Sequence, residues 1–173
     1  MNSIMSTILN RRSIRAYTSK KIDREDIIQI LTAANWAPSG NNLQPWRFSV
    51  ITNDQLIKEL SSLTIYHNWV QNSPCLIAVF LDNKAVDNNI SNIHFKHVQA
   101  IGAAIQNMLL TAHELGLGTC WIGEILKNED KVKELLEISS SELQLMAVIA
   151  VGYPSKKSQS KRKDISKAII NWL

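Results

Sequence analysis

Two short segments carry the residues best suited to chemistry. Arg11-Arg12-Ser13-Ile14-Arg15 places three guanidinium groups and a hydroxyl within five positions. A guanidinium presents a planar fork of donors that matches phosphate oxygens two at a time, and a serine hydroxyl adds one more donor. At the end of a helix such groups can converge on one anion. The same pattern also describes a solvated basic helix terminus, favoured by the helix dipole. The second segment is Pro38-Ser39-Gly40-Asn41-Asn42-Leu43-Gln44-Pro45-Trp46. Its Asn and Gln side chains offer both donors and acceptors, which suits a ring edge that alternates carbonyls with N–H. The flanking prolines restrict the backbone and limit the entropy lost on binding. Read alone, the loop is equally an Asn/Gly turn between a helix and a strand.

The remaining chemistry-bearing residues are sparser. His94 and His97 are spaced i, i+3 and could share a helix face. Two histidines without a third ligand make a weak case for metal, and no metal is expected. His113 falls inside a helical pattern and reads as structural. Cys75 and Cys120 each lie in an apolar run, with no metal or redox spacing, and read as small buried hydrophobes. Gly116-x-Gly118-x-x-Trp121 follows a helix instead of a strand and lacks the third glycine, so it is not a dinucleotide fingerprint. No catalytic triad or paired-carboxylate acid/base set stands out.

These groups must be positioned by elements that the hydrophobic periodicity outlines. A helix is expected over 3–12. A second, capped by Asp23, carries Ile27, Ile28, Ile30, Leu31 and Ala34 as a stripe up to Trp36, where Pro38 and Gly40 stop it. Residues 46–51 read as a strand, 53–63 as a short helix, and 74–81 as a buried central strand. The Asn-rich stretch 82–94 reads as a loop. Residues 95–115 form the longest helix, whose Ala100, Gly102, Ala103 and Ala104 suggest close packing. A strand over 119–122, a helix over 128–137 and a strand over 143–151 follow. A charged linker at 155–163 leads to an apolar end, Ile165 to Leu173, too apolar for a free tail and expected to pack on a second subunit.

With 173 residues, 45% hydrophobic and 20% charged, the chain has the composition of an ordinary globular domain. A net charge of +4 without a basic stripe interleaved with aromatics argues against nucleic acid. No apolar run is long enough to cross a bilayer, and the first residues do not read as a signal peptide. A cytoplasmic setting is expected.

Taken together, the Arg-Arg-Ser-x-Arg and Pro-Ser-x-x-Asn-x-Gln-Pro-Trp motifs, about two dozen residues apart, resemble the flavin-binding signatures of the nitroreductase family. Gly102-Ala103-Ala104-Ile105-Gln106-Asn107 and Leu115-Gly116-Leu117-Gly118-Thr119-Cys120-Trp121-Ile122-Gly123 are similar to its central helix and following loop. Gly152-Tyr153-Pro154 and Arg162 are similar to its closing strand and basic C-terminal segment. The resemblance spans nearly the whole chain. Ala100 departs from the pattern, which often has an acidic residue two positions before the glycine.

The resemblance implies an α+β fold, a central and mainly antiparallel sheet flanked by helices, in one FMN-binding domain over 1–173 that forms an interlocked homodimer. It implies that Arg11, Arg12 and Ser13 hold the FMN phosphate and ribityl end, completed by Arg162. Arg15 would lie toward the pyrimidine edge. Pro38, Ser39, Gly40 and Asn42 would reach the flavin from the partner subunit, Gln44 would sit near them or support the loop, and Trp121, Ile122 and Gly123 would line the ring. Tyr66, His67 and Phe95 could border a pocket for flat substrates, or simply pack. No side chain is singled out as catalytic, because the flavin carries the chemistry. The implied activity is ping-pong hydride transfer from NAD(P)H to flavin N5 and on to a small electrophile such as a nitroaromatic or a quinone. A non-catalytic flavin binder, another acceptor on the same scaffold, and a dimerisation module that has lost its cofactor are the rival readings.

Overall fold

The computed structural model describes residues 3–86 and 93–173. Four strands form one sheet in the order β1 (Trp46–Ile51), β2 (Cys75–Asp82), β4 (Leu143–Gly152), β3 (Gly118–Ile122), and every pairing is antiparallel. Among the described residues the α-helices are α1 (Ser3–Asn10), α2 (Arg24–Asn35), α3 (Asp54–Ser62), α4 (His67–Val70), α5 (Ile93–Glu114) and α6 (Glu129–Leu135).

β2 is apolar at nearly every position because both of its faces are covered. Cys75, Ile77, Val79 and Leu81 point into a core shared with Ile30 and Ala34 of α2 and with Ala104, Ile105 and Met108 of α5. The alternate residues Leu76, Ala78 and Phe80 face Ile57 and Leu60 of α3 and Val132 of α6. β4 follows the same alternation until Met146, where a register shift opposite Val79/Phe80 puts Leu145 on the second face and Ala147 on the first.

Several expectations are refined. α1 ends at Asn10, so the arginines follow the helix instead of closing it. Its stripe of Ile4, Met5, Ile8 and Leu9 is solvent-exposed and does not enter the chain's own core. α4 lies where the sequence offers only four helical residues, too few for periodicity to register. α5 begins at Ile93, two residues before the expected start. The expected loop at 82–94 begins with the end of β2 and a 3₁₀ turn at Asn83–Ala85, and its positions 87–92 lie outside the described residues. Close packing at Gly102 is not required, because an added Cβ would meet only Trp121, at an ordinary 4.0 Å.

Close approach is required elsewhere. Gly118 and Gly152 stand opposite each other in the β3–β4 register. A Cβ at Gly118 would lie 2.6 Å from Ile14, and one at Gly152 would lie 2.6 Å from Pro74 and 2.8 Å from Tyr17. These two hydrogens where side chains would stand let residues 11–18 run along the sheet edge. Ser13 bridges Thr119, the Ile14 N–H donates to Thr119 O at 2.8 Å, Tyr17 bridges Pro154, and the Thr18 N–H donates to Tyr153 O at 2.9 Å. Gly118→Ala is therefore expected to lose about 1–3 kcal/mol of stability through overpacking. Calorimetric unfolding checks this, and an unchanged midpoint would show that the strip is not pressed against β3.

Candidate functional site

The arginine segment leaves α1 with its backbone already committed. The Arg11 N–H donates to Thr7 O at 2.9 Å, and Arg12 Nη1 donates to Leu9 O at 2.6 Å and to Arg11 O at 2.8 Å. Arg12 thus satisfies carbonyls that the helix end leaves open. Arg11 is half-buried, and its guanidinium is held below its ordinary pKa first by burial and then by the neighbouring charges of Arg162 and Arg12. Arg11 thus lies within electrostatic range of its neighbour Arg12 and of Arg162 from the other end of the chain. Arg162 Nη1 also donates to Ser160 Oγ at 3.1 Å.

Ser13 and Arg15 flank Cys120 of β3. Burial raises that thiol's pKa, while Arg15, a hydrogen bond with Ser13, and Arg11 pull it the other way. Cys75, deep in β2, is pushed up to about 12 by burial. Tyr17 is buried under the strip, where its hydroxyl donates to Ile14 O at 2.7 Å, and burial pushes its phenol pKa far up.

The Pro38–Pro45 loop is held in an unusual backbone path. Asn41, Asn42 and Gln44 have φ of 55°, 54° and 49°, in the left-handed region that Asn tolerates and Gln rarely enters. The Gln44 N–H donates to Ser39 Oγ at 3.0 Å, Gln44 Nε2 donates to Asn42 O at 3.1 Å, and the Asn42 N–H donates to Ser39 O at 3.0 Å. Ser39 and Gln44 are thereby spent partly on the loop itself. Trp46 Nε1 anchors the loop's end by donating to Asn35 Oδ1 at 2.9 Å. Lys96, in the first turn of α5, lies against Gly40, with its aliphatic carbons 3.1 Å from where a Cβ would stand.

The two motifs are not brought together within one chain. The loop feeds β1 at one edge of the sheet, and the arginine strip runs along β3 at the other. Three inter-strand steps separate the edges, about 14 Å. The motifs also sit at opposite ends of α5. Lys96 adjoins the loop, and His113 shares a cavity with Arg11 and Arg12. The 17 residues from Lys96 to His113 span about 26 Å of helix.

Between these corners lies Trp121, 43% exposed, with Ile122 buried and Gly123 open to solvent. No atom stands within 4 Å of where a Gly123 Cβ would be. Glu124 ties this turn to α4's entrance, accepting from Thr64 Oγ1 at 2.7 Å and from the Ile65 N–H at 3.1 Å while pairing with Lys127. Tyr66 and His67, both exposed, follow directly on Thr64 and Ile65, which hold the turn at Glu124. Phe95, 63% exposed, adjoins Lys96 and belongs to the loop's corner instead. His97, whose spacing from His94 would let the two share a helix face, is fully buried. Lys156 and Lys157, expected only as part of a charged linker, and His113, expected to be structural, line the cavity with Arg11 and Arg12. Only the fold brings these distant positions side by side. Among the described residues no group of three or more His, Cys, Asp or Glu side chains could hold a metal ion, and no helix is long and apolar enough to cross a membrane.

The model of the nitroreductase family matches residues 8–153, and the chain belongs to that family. It is 33% identical over 167 residues to a protein of Archaeoglobus fulgidus provisionally named NADH dehydrogenase/NAD(P)H nitroreductase, covering 95% of this chain and 92% of the relative. It is 29% identical to an FMN reductase (NADPH) of Bacillus subtilis, over 99% of this chain and 74% of that one. A Desulfovibrio desulfuricans protein provisionally described as a nitroreductase, crystallised in complex with FMN, superposes with a TM-score of 0.92 at 38% identity, covering 100% of this chain and 98% of that one.

Glu124 also provides a pH test of the turn beneath Trp121. Its carboxyl is held below the usual range, first by the hydrogen bond from Lys127 and then by that from Thr64. A depressed folded pKa contributes stability above the unfolded carboxylate value of about 4.3 and loses it as pH falls through the folded value. Parent and Glu124→Gln are thus expected to differ in unfolding midpoint at neutral pH. That gap should close on acidification below about pH 4. A gap independent of pH would remove the carboxylate's charge as its cause.

Proposed function

We propose that this chain is an FMN-dependent oxidoreductase that takes electrons from NADH or NADPH and delivers them to a small electrophile such as a nitroaromatic or a quinone. The observation that carries this reading is that Arg162, from the far end of the chain, comes within electrostatic range of Arg11, which has Arg12 beside it. Arg11 and Arg12 line a cavity that holds no carboxylate among its described lining residues. Mutually repelling cations gathered without a counter-charge fit a phosphate ester. The family's FMN reductases and the FMN complex of its Desulfovibrio relative point to the same cofactor.

When bound, FMN supplies hydride acceptance and donation at its N5, in alternate half-reactions with donor and acceptor. The chain's residues bind and orient it. Arg11, Arg12, Ser13 and Arg162 hold the phosphate and ribityl end. Arg15, exposed beside Ser13, places a cation toward the pyrimidine edge, where negative charge develops on reduction. Trp121 and Gly123 line the ring, Ile122, whose side chain is buried in the core, contributes backbone only, and the missing Cβ at Gly123 leaves its backbone accessible. Tyr66, His67 and Phe95 border the space for the acceptor.

The whole of 1–173 serves as one FMN-binding domain in this reading, and the working unit is a homodimer. The diagonal separation of the two motifs supports this, because Pro38, Ser39, Gly40, Asn42 and Gln44 can reach a flavin held by the arginines only from a second copy. Unburied apolar surface supports it too. Ile4, Met5, Ile8 and Leu9 of α1, Trp36 at 82% exposure, and Ile170, Trp172 and Leu173 of the C-terminal arm all lack cover from their own chain.

The anaerobic absorbance spectrum of the purified protein tests the function directly. Flavin bands that bleach within seconds of adding NADH or NADPH are expected, and the faster donor is the preferred one. Bands that persist with both donors would favour a flavin-binding protein that does not turn over. A colourless protein that takes up no added FMN would defeat the proposal. Arg15→Ala is expected to retain FMN but lower its two-electron midpoint potential by about 30 mV, the equivalent of about 1.4 kcal/mol. A redox-dye titration reads this, and an unchanged potential would take that role from Arg15.

A further inference from the structure

β3 ends at Ile122, paired with Val148, and the chain then passes through Gly123 into a 3₁₀ turn at Glu124–Asn128. Gly123 brings no side chain to hold this corner, and no atom stands within 4 Å of where its Cβ would be. The corner is held from the residues after it instead. Glu124 Oε2 accepts from Thr64 Oγ1 at 2.7 Å and from the Ile65 N–H at 3.1 Å, while Oε1 pairs with Lys127. At the other end of the same turn, Asn128 Nδ2 donates to Leu63 O at 2.7 Å. Side chains from both ends of the turn thus clasp the segment Leu63-Thr64-Ile65 between α3 and α4.

Both halves of this clasp are anchored. Thr64 is buried, and its hydroxyl oxygen also accepts from the Tyr66 N–H at 3.3 Å. The Thr64 N–H donates to Ser61 O and the Leu63 N–H to Leu60 O, at the end of α3. Leu60, and Ile125 inside the 3₁₀ turn, belong to the same core on that face of the sheet. Hydrogen bonds to a carboxylate are roughly twice as strong as those between neutral groups, so the bonds at Glu124 Oε2 outweigh the one from Asn128. Gly123 is therefore tied on one side to β3 and on the other, through Glu124, to the entrance of α4.

A backbone that is open on one face keeps its place only through the groups that brace it. Hydride transfer is sensitive to that place, because reacting atoms must meet at about 3–3.5 Å in a narrow range of orientations. We propose that Glu124 is a positioning residue of the flavin site, whose carboxylate grips Thr64 and Ile65 and so fixes the backbone of Gly123 beside the ring. It acts through Gly123 and not by contact with the reacting atoms. The inference rests on the FMN reading above and adds to it a residue that sets the geometry of transfer.

The test is the rate at which bound flavin bleaches under saturating NADH or NADPH, followed anaerobically by stopped flow and expressed per bound flavin. The Kd of FMN and the unfolding midpoint are measured beside it. Both bonds converge on one oxygen, so Glu124→Gln keeps them through its amide oxygen while losing the charge that pairs with Lys127. Glu124→Ala loses the bonds as well. Glu124→Ala is expected to bleach about tenfold more slowly than the parent, the scale of a modest misplacement of reacting groups. Its FMN affinity should stay within about twofold, because the arginine end of the site is untouched. Glu124→Gln is expected to bleach within about twofold of the parent even though its unfolding midpoint differs. A merely structural glutamate would shift the midpoint in both variants and the rate per bound flavin in neither. Thr64→Val removes one of the two bonds and leaves the Lys127 pair, so its rate should fall between those of the parent and Glu124→Ala. It carries the test should Glu124→Ala not fold. A parental rate in Glu124→Ala or in Thr64→Val, or a Glu124→Gln as slow as Glu124→Ala, would overturn the proposal. A parent that takes up no FMN, or whose flavin never bleaches, would remove the oxidoreductase reading on which it rests.

Discussion

The pressing of residues 11–18 against the β3–β4 edge organises the rest of the molecule. It exists because Gly118 and Gly152 face each other across the register and neither carries a Cβ. Ile14 and Tyr17 occupy the space that side chains there would take, and main-chain hydrogen bonds to Thr119 and Tyr153 lock the strip in place. The direction in which Arg11, Ser13 and Arg15 leave the backbone follows from that lock. So does the meeting of Arg11 with Arg162, since the chain leaving β4 past Pro154 starts from the same edge. A methyl group at either glycine would act first on packing and only through it on the arginines.

α5 is the second constraint. It is the longest helix, and it works as a spacer whose ends serve different corners. Lys96 lies on Gly40 at one end, His113 enters the basic cavity at the other, and Trp121 rests near Gly102 between them. A rigid rod of this length keeps the Asn/Gln loop and the arginine strip apart in any single copy. The proposed dimer turns that separation into an advantage, because a ligand held by one chain's arginines then lies between two chains, and cofactor binding and assembly become coupled. The left-handed residues of the loop fit the same picture. A segment held at positive φ by its own hydrogen bonds presents its polar groups outward with little freedom left to lose.

Much of this was legible in the residues themselves. The unbroken apolar run of β2 read as a central strand covered on both sides, and the helical periodicity of α2 and the length of α5 were equally plain. The arginine and Asn/Gln segments stood out by residue type. Where the reading fell short, the missing information was spatial. The apolar stripe of α1 has the right spacing for a core face, yet it faces solvent, because periodicity records that a face is apolar and not what covers it. His97 could be placed on a helix face with His94 from its spacing, but only the fold shows that it is fully buried. Gly102 looked like a contact point, but the close contacts are at Gly118 and Gly152.

The sequence alone thus determined the local matters: which segments are helix or strand, which strand is central, and which side chains are fit to grip a phosphate or a polar ring edge. These depend on propensity, period and side-chain chemistry, all carried by neighbouring residues. The tertiary structure decided which distant groups meet. Arg11 and Arg162 share a field, His113 joins Lys156 and Lys157 around one cavity, and the two signature loops stand at opposite corners of the sheet. Such pairings depend on strand order and on where a missing Cβ lets one segment lie against another, and no local pattern in the chain encodes either.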